Sequence, residues 1–144
     1  MRGTTAALAA LFLMSVPAAS NEIQVVDDPG GRIVDRMVQI EIANKTNAQF
    51  QIIGEYCHSS CTMLLGADDV CISPDTMFGF HGPHRFKRVK MTVDEFDRQS
   101  ASLSRYYPHP IRNWFMSKAR FAGPDELLFV SGEYLIGLGI KECV

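Results

Sequence analysis

Between residues 22 and 54 the hydrophobic spacing changes period twice, and no other stretch restricts the fold as much. Glu22-Ile23-Gln24-Val25-Val26 alternates polar and apolar side chains, as a strand with one buried face does. Asp28-Pro29-Gly30-Gly31 interrupts it with turn-forming residues. From Arg32 onward Ile33, Met37 and Ile40 fall at helical spacing, and Val34 and Val38 widen the stripe. That predicts a helix of about three turns ending near Asn44. Residues 49–54 then read as a second strand. Two strands joined through one crossover helix run parallel, so the expected class is α/β, with a mostly parallel sheet and flanking helices.

The remaining chain continues the alternation. Residues 61–67 predict a short buried helix, and residues 70–72 and 77–80 predict strands on either side of the Ser73-Pro74-Asp75 turn. Thr92-Val93-Asp94-Glu95 has the form of a capping box, opening a helix that runs to about Tyr106. Pro110 suits the first turn of a helix over residues 111–121, which Gly123-Pro124 stops. A short helix at 132–138 and a terminal strand at 139–144 complete the reading.

The first twenty residues stand apart from this plan. Arg2 supplies a positive start, residues 6–16 an apolar run, and Pro17-Ala18-Ala19-Ser20 a small-residue processing site. Residues 1–20 therefore read as a signal peptide, cleaved after Ala19 or Ser20, and residues 21–144 as one domain. The protein is expected to be exported, periplasmic or secreted. Contact with a membrane is expected only if the leader stays uncleaved, because the run is shorter than a spanning helix.

Export changes the meaning of Cys57, Cys61, Cys71 and Cys143, which in an oxidising compartment form disulfides. Three pairings are possible. Cys57–Cys61 with Cys71–Cys143 is preferred, and Cys61–Cys71 is the main rival. The spacing lacks the paired knuckles of a structural zinc site, and no metal is expected. A formal charge of −2 gives no general attraction to nucleic acid, and no nucleic-acid partner is expected. One basic stretch, carrying Arg85, Lys87, Arg88 and Lys90, is either a solvated loop or a flap that favours acidic or extended peptide substrates.

Three local features have the chemistry of acyl transfer. Ser59 lies where a strand gives way to a helix, so its hydroxyl can stand at a sharp turn beside free main-chain N–H groups. The usual glycines of a nucleophile elbow are replaced by Cys57 and Cys61, and on local sequence alone Ser59 or Ser60 reads as a helix cap. His81 sits in the otherwise apolar Phe78-Gly79-Phe80-His81-Gly82-Pro83, where an imidazole needs a hydrogen-bond partner. In isolation it reads as a satisfied structural histidine. His58, His84 and His109 lie in more polar settings and read as surface residues. Gly30-Gly31 is either a tight turn or a backbone approach to an anion. No Gly-x-Gly-x-x-Gly or P-loop lysine accompanies it, which disfavours phosphate.

Taken jointly, four segments resemble the ClpP-like branch of the Clp protease/crotonase superfamily. They are Asp27-Asp28-Pro29-Gly30-Gly31, Cys57-His58-Ser59-Ser60-Cys61-Thr62-Met63-Leu64-Leu65, Val70-Cys71-Ile72-Ser73-Pro74 and Phe78-Gly79-Phe80-His81-Gly82-Pro83. The chain is most like the small exported members, whose nucleophile sits in a Cys-x-Ser-small-Cys motif, and the resemblance covers about residues 23–144. It implies a ClpP/crotonase-like βαβ core and a serine hydrolase, acting on a peptide or protein substrate without a cofactor. Ser59 matches the nucleophile and His81 the base. The backbone N–H groups of Gly31 and Ser60 match the oxyanion donors. The orienting acid fits less closely: its strict position falls on Leu127, and the nearby Asp125, ahead of Glu126, is the expected substitute.

The resemblance also implies a homo-oligomer assembled through the helices after the base. The N-terminal part is shorter than in a full ClpP subunit, so a degradative barrel is not expected. Two rival functions remain at this point. One is a catalytically inactive ClpP-like binding or scaffold module; the other is acyl-CoA chemistry, which export disfavours.

Overall fold

The computed structural model describes residues 21–85, 87 and 89–144; the leader expected over residues 1–20, together with Phe86 and Arg88, lies outside them. The period change at the start of the domain does produce a crossover unit. Strand β1 (Glu22–Val25) leads into helix α1 (Ile33–Thr46) and strand β2 (Gln49–Ile52). The two strands pair in parallel, from Glu22 beside Gln49 to Val25 beside Ile52. Helix α1 ends because Asn47 takes a left-handed conformation, φ 50°, which asparagine tolerates better than most residues.

Helix α1 buries a narrower face than expected. Ile40 and Ala43 are fully packed, with Ile33 and Met37 against the core. Val34 and Val38, expected to widen the stripe, stay 60% and 48% exposed. Val34 instead borders the cleft that holds the candidate site.

The described strands form two sheets rather than one. The first has the order β1-β2-β4-β7, with β4 at Val70–Ile72 and β7 at Lys141–Glu142, and every pairing in it is parallel. The second has the order β3-β5-β6, from Tyr56–His58, Met77–Phe80 and Leu128–Ser131. Its β3–β5 pair is parallel and its β5–β6 pair antiparallel. Strands β3 and β6 have only three and four residues, too short for a periodic signal to stand out.

Between β3 and β4 runs a 3₁₀ helix, Ser59–Gly66, with Ser60 to Leu65 all buried. Helix α2 (Val93–Ser104) opens on the capping box: the Glu95 N–H donates to Thr92 Oγ1 at 3.2 Å, and the Thr92 N–H donates to Glu95 Oε2 at 3.0 Å. Helix α3 (His109–Ser117) stops earlier than expected, because Lys118 leaves helical geometry and a 3₁₀ turn, Ala119–Phe121, follows. Helix α4 covers Gly132–Gly137. Phe78, Phe80, Phe115, Ile52, Met63 and Leu64 are the largest side chains of the shared core.

The cysteines pair as Cys57–Cys61 and Cys71–Cys143, and the rival Cys61–Cys71 pairing is absent. One bridge spans the turn at Ser59; the other ties the chain's end to β4. Disulfides of this kind persist in oxidising surroundings. Among the described residues no helix is long and apolar enough to cross a membrane, and no group of His, Cys, Asp or Glu is arranged to hold a metal ion.

Candidate active site

Strand β3 ends at His58, and the next residue breaks the backbone direction. Ser59 has φ 56°, in the left-handed region that an L-residue enters at a cost of about 1–2 kcal/mol. Several contacts hold it there. The Cys57–Cys61 bridge closes the turn. The Thr62 hydroxyl donates to the Ser59 carbonyl at 2.7 Å. Having spent its proton, Thr62 Oγ1 can only accept at its 3.0 Å contact with Tyr107, so the phenol donates. Burial pushes the Tyr107 phenol up to about 12, which keeps it a donor at any working pH.

The strained position makes a prediction about folding alone. Ser59→Gly should be more stable than Ser59→Ala by about 1 kcal/mol, because both lose the hydroxyl bonded to His81 and only glycine enters this region without steric cost. A denaturant midpoint for the glycine variant no higher than that of the alanine variant would show that the turn stores no strain.

The glycine turn is brought up against this elbow by pairing with β3. Asp28 bridges Cys57 in parallel fashion, its N–H donating to the Tyr56 carbonyl at 3.1 Å, and the His58 N–H donates to the Asp28 carbonyl at 2.8 Å. The Asp28 carboxylate accepts from the Gly30 N–H at 2.8 Å and from the Arg36 guanidinium at 2.7 Å. Gly30, at φ 98°, then lies so near that an added Cβ would meet Ser59 Cβ at 2.6 Å. Only glycine permits that approach. Gly31 follows and opens onto free space, lining the cleft.

His81, at the end of β5, completes the meeting. Its Nε2 lies 2.7 Å from Ser59 Oγ. The hydroxyl is thus engaged with the imidazole rather than capping the helix, which has no side-chain cap. The other ring nitrogen, Nδ1, lies 2.7 Å from the main-chain oxygen of Gly82. A carbonyl only accepts, so Nδ1 carries the proton and Nε2 presents its lone pair to the Ser59 O–H. Burial holds the His81 pKa below the ordinary 6.5, opposed by the Gly82 hydrogen bond and aided by the nearby His84. The imidazole is therefore neutral at pH 7.

Ser59, His81, Gly31 and Ser60 all border one cleft of about 650 Å³, with Ile33 and Leu103 among its apolar walls. The N–H of Ser60 belongs to the first helical turn, where no intrahelical acceptor exists for it. Its side-chain hydroxyl is buried and has no hydrogen-bond partner among the described residues.

At Nδ1, where Asp125 was expected, the described partner is the Gly82 main-chain carbonyl, and Ser59 is the described partner at Nε2. Asp125 itself sits exposed in the turn after Gly123-Pro124. Leu127 packs near Gly79, and Glu126 is exposed.

The other histidines separate in an unexpected way. His58 is half-buried between Tyr56 and Phe129, with ring centroids at 4.7 and 5.5 Å, beside Gly79. His84, expected to be a surface residue, is exposed but lines the cleft, its ring centroid 5.1 Å from that of His81. His109 is exposed at the start of α3. In the basic stretch, Arg85 pairs with Glu95 on α2. Thr62 stood within the quoted motif, but nothing near Arg36 or Tyr107 in the sequence announced their supporting roles.

No protein-family model matches the chain, and no curated protein matches it either.

Proposed function

We propose that the chain is an exported serine hydrolase with a ClpP/crotonase-like fold, cleaving amide or ester bonds in peptide substrates. The observation that carries this reading is the 2.7 Å contact between Ser59 Oγ and His81 Nε2, at the mouth of a cleft. In this reading Ser59 Oγ attacks the carbonyl carbon while its proton passes to His81 Nε2. The backbone N–H groups of Gly31 and Ser60 stabilise the oxyanion of the tetrahedral intermediate. His81 then delivers the proton to the leaving nitrogen or oxygen, and the C–N or C–O bond breaks. Water then attacks the acyl carbon while giving a proton to His81, the bond from that carbon to Ser59 Oγ breaks, and His81 returns the proton to Ser59 Oγ as the acid leaves. The two disulfides support an oxidising location, and together with the leader-like sequence of residues 1–20 they support export.

A second reading has one observation in its favour. The partner of Nδ1 is a neutral carbonyl instead of a carboxylate, which suits a binding module that kept the fold without fast catalysis.

A fluorophosphonate probe separates the two. The parent protein should be labelled, and the labelling rate should fall on the acid side with an apparent pKa below 6.5, because protonated His81 cannot take the Ser59 proton. As pH falls through that value the base form is lost; above it the rate levels off. A parent protein that is never labelled removes the hydrolase and leaves the binding module.

A further inference from the structure

The geometry points to the Gly82 main-chain carbonyl as the group that orients the catalytic imidazole, with Arg120 and the backbone through Ala122 as its support. The inference builds on the hydrolase reading but concerns which group sets the tautomer and angle of His81.

A carbonyl next in sequence to the histidine could swing freely unless its peptide were clamped. Here it is clamped from several sides. The Gly82 N–H donates to the Ala122 carbonyl at 3.0 Å. An added Cβ on Gly82 would lie 1.7 Å from the Arg120 carbonyl oxygen, so the two backbones are in direct contact. The Gly82 carbonyl also belongs to the peptide bond with Pro83, whose nitrogen bears no hydrogen and whose ring fixes its own φ. Rotation of that unit is restricted on both sides.

The support is itself anchored. Arg120 Nη1 lies 2.9 Å from Asp97 Oδ1 on α2, and its guanidinium stacks over Phe96 at 5.2 Å and Phe121 at 4.7 Å. Its side chain is mostly buried. A path of direct contacts thus runs from α2 through Arg120 to Gly82 and the His81 ring. Arg120 touches no reacting atom, so it is a positioning residue.

A neutral acceptor can do only part of what a carboxylate does. It selects the Nδ1–H tautomer and fixes the ring, but it gives weaker stabilisation to the imidazolium formed during proton transfer. Asp125 should then be dispensable, whereas removing a working triad acid costs about 10⁴-fold.

The test uses the full disulfide-bonded domain, labelled with nitrogen-15. Imidazole ¹H–¹⁵N correlation at pH 8 should show His81 as the Nδ1–H tautomer in the parent and unchanged in Asp125→Asn. Fluorophosphonate labelling of Asp125→Asn should stay within about 3-fold of the parent, far from the triad-acid loss. Arg120→Met should lower labelling by about 10- to 100-fold through a displaced ring, with the far-ultraviolet spectrum unchanged. Loss of the Nδ1–H tautomer in Asp125→Asn, or a fall in its labelling beyond 100-fold, overturns the assignment. Labelling of Arg120→Met equal to the parent removes the support. A parent that shows the tautomer but is never labelled defeats the hydrolase reading and leaves this orientation standing, since the spectrum needs no turnover.

Discussion

Ser59→Ala is expected to abolish fluorophosphonate labelling and to cut hydrolysis of any substrate by at least about 10⁴-fold. The size follows from the role. Without the hydroxyl no covalent intermediate forms, and His81 has no proton to accept. What survives is the stabilisation offered by the oxyanion donors and the cleft. The fold should be nearly unaffected, because alanine keeps the Cβ that lies beside Gly30 and meets the same φ of 56°. Losing the 2.7 Å contact to His81 removes one partly buried hydrogen bond, worth about 1 kcal/mol. Gel-based labelling beside a thermal melt reads both effects at once. Labelling that persists in the variant would place the nucleophile elsewhere.

The largest loss of stability should come from the longer disulfide. Cys71 and Cys143 are separated by 72 residues, and a loop of that size gives about 4 kcal/mol in the chain-entropy account. Cys57 and Cys61 are separated by only 4, which gives about 2 kcal/mol. Replacing Cys71 and Cys143 together by alanine should therefore lower the melting temperature by about 12–20 °C, taking a few degrees per kcal/mol. The pair at Cys57 and Cys61 should cost about half as much stability. Calorimetry on both double variants gives the comparison. An equal or smaller drop for the long bridge would mean that cross-linking the unfolded chain is not what stabilises the native one.

How much of this was legible beforehand depended on how local each signal was. The β1–α1–β2 unit was readable because its period changes within one stretch, and Thr92 with Glu95 because a capping box is complete in four residues. The exposure of Val34 and Val38 was not readable, since helical spacing reports a face without saying how wide its neighbour is. The split into two sheets escaped for a related reason: β3 and β6 are very short, and their partner β5 lies well away from both in sequence. Within the site, Ser59 alone read as a cap and His81 alone as a structural ring. Only their joint occurrence with the glycine turn suggested a meeting, and the geometry brings those three together. The orienting group could not be read at all. Every residue carries a carbonyl, so a role for Gly82 leaves no mark in the residue types, whereas a nearby acid such as Asp125 does.

The bridge from β4 to the chain's end has a consequence for the order in which the molecule can be made. Strand β7 is the last element, and it supplies the outer edge of a sheet whose other members are complete much earlier. In an oxidising compartment Cys71 has three possible partners, of which Cys61 is the nearest in sequence. By loop length alone Cys57 closes on Cys61 more readily than on a distant thiol, and that closure would leave Cys143 as the one remaining partner for Cys71.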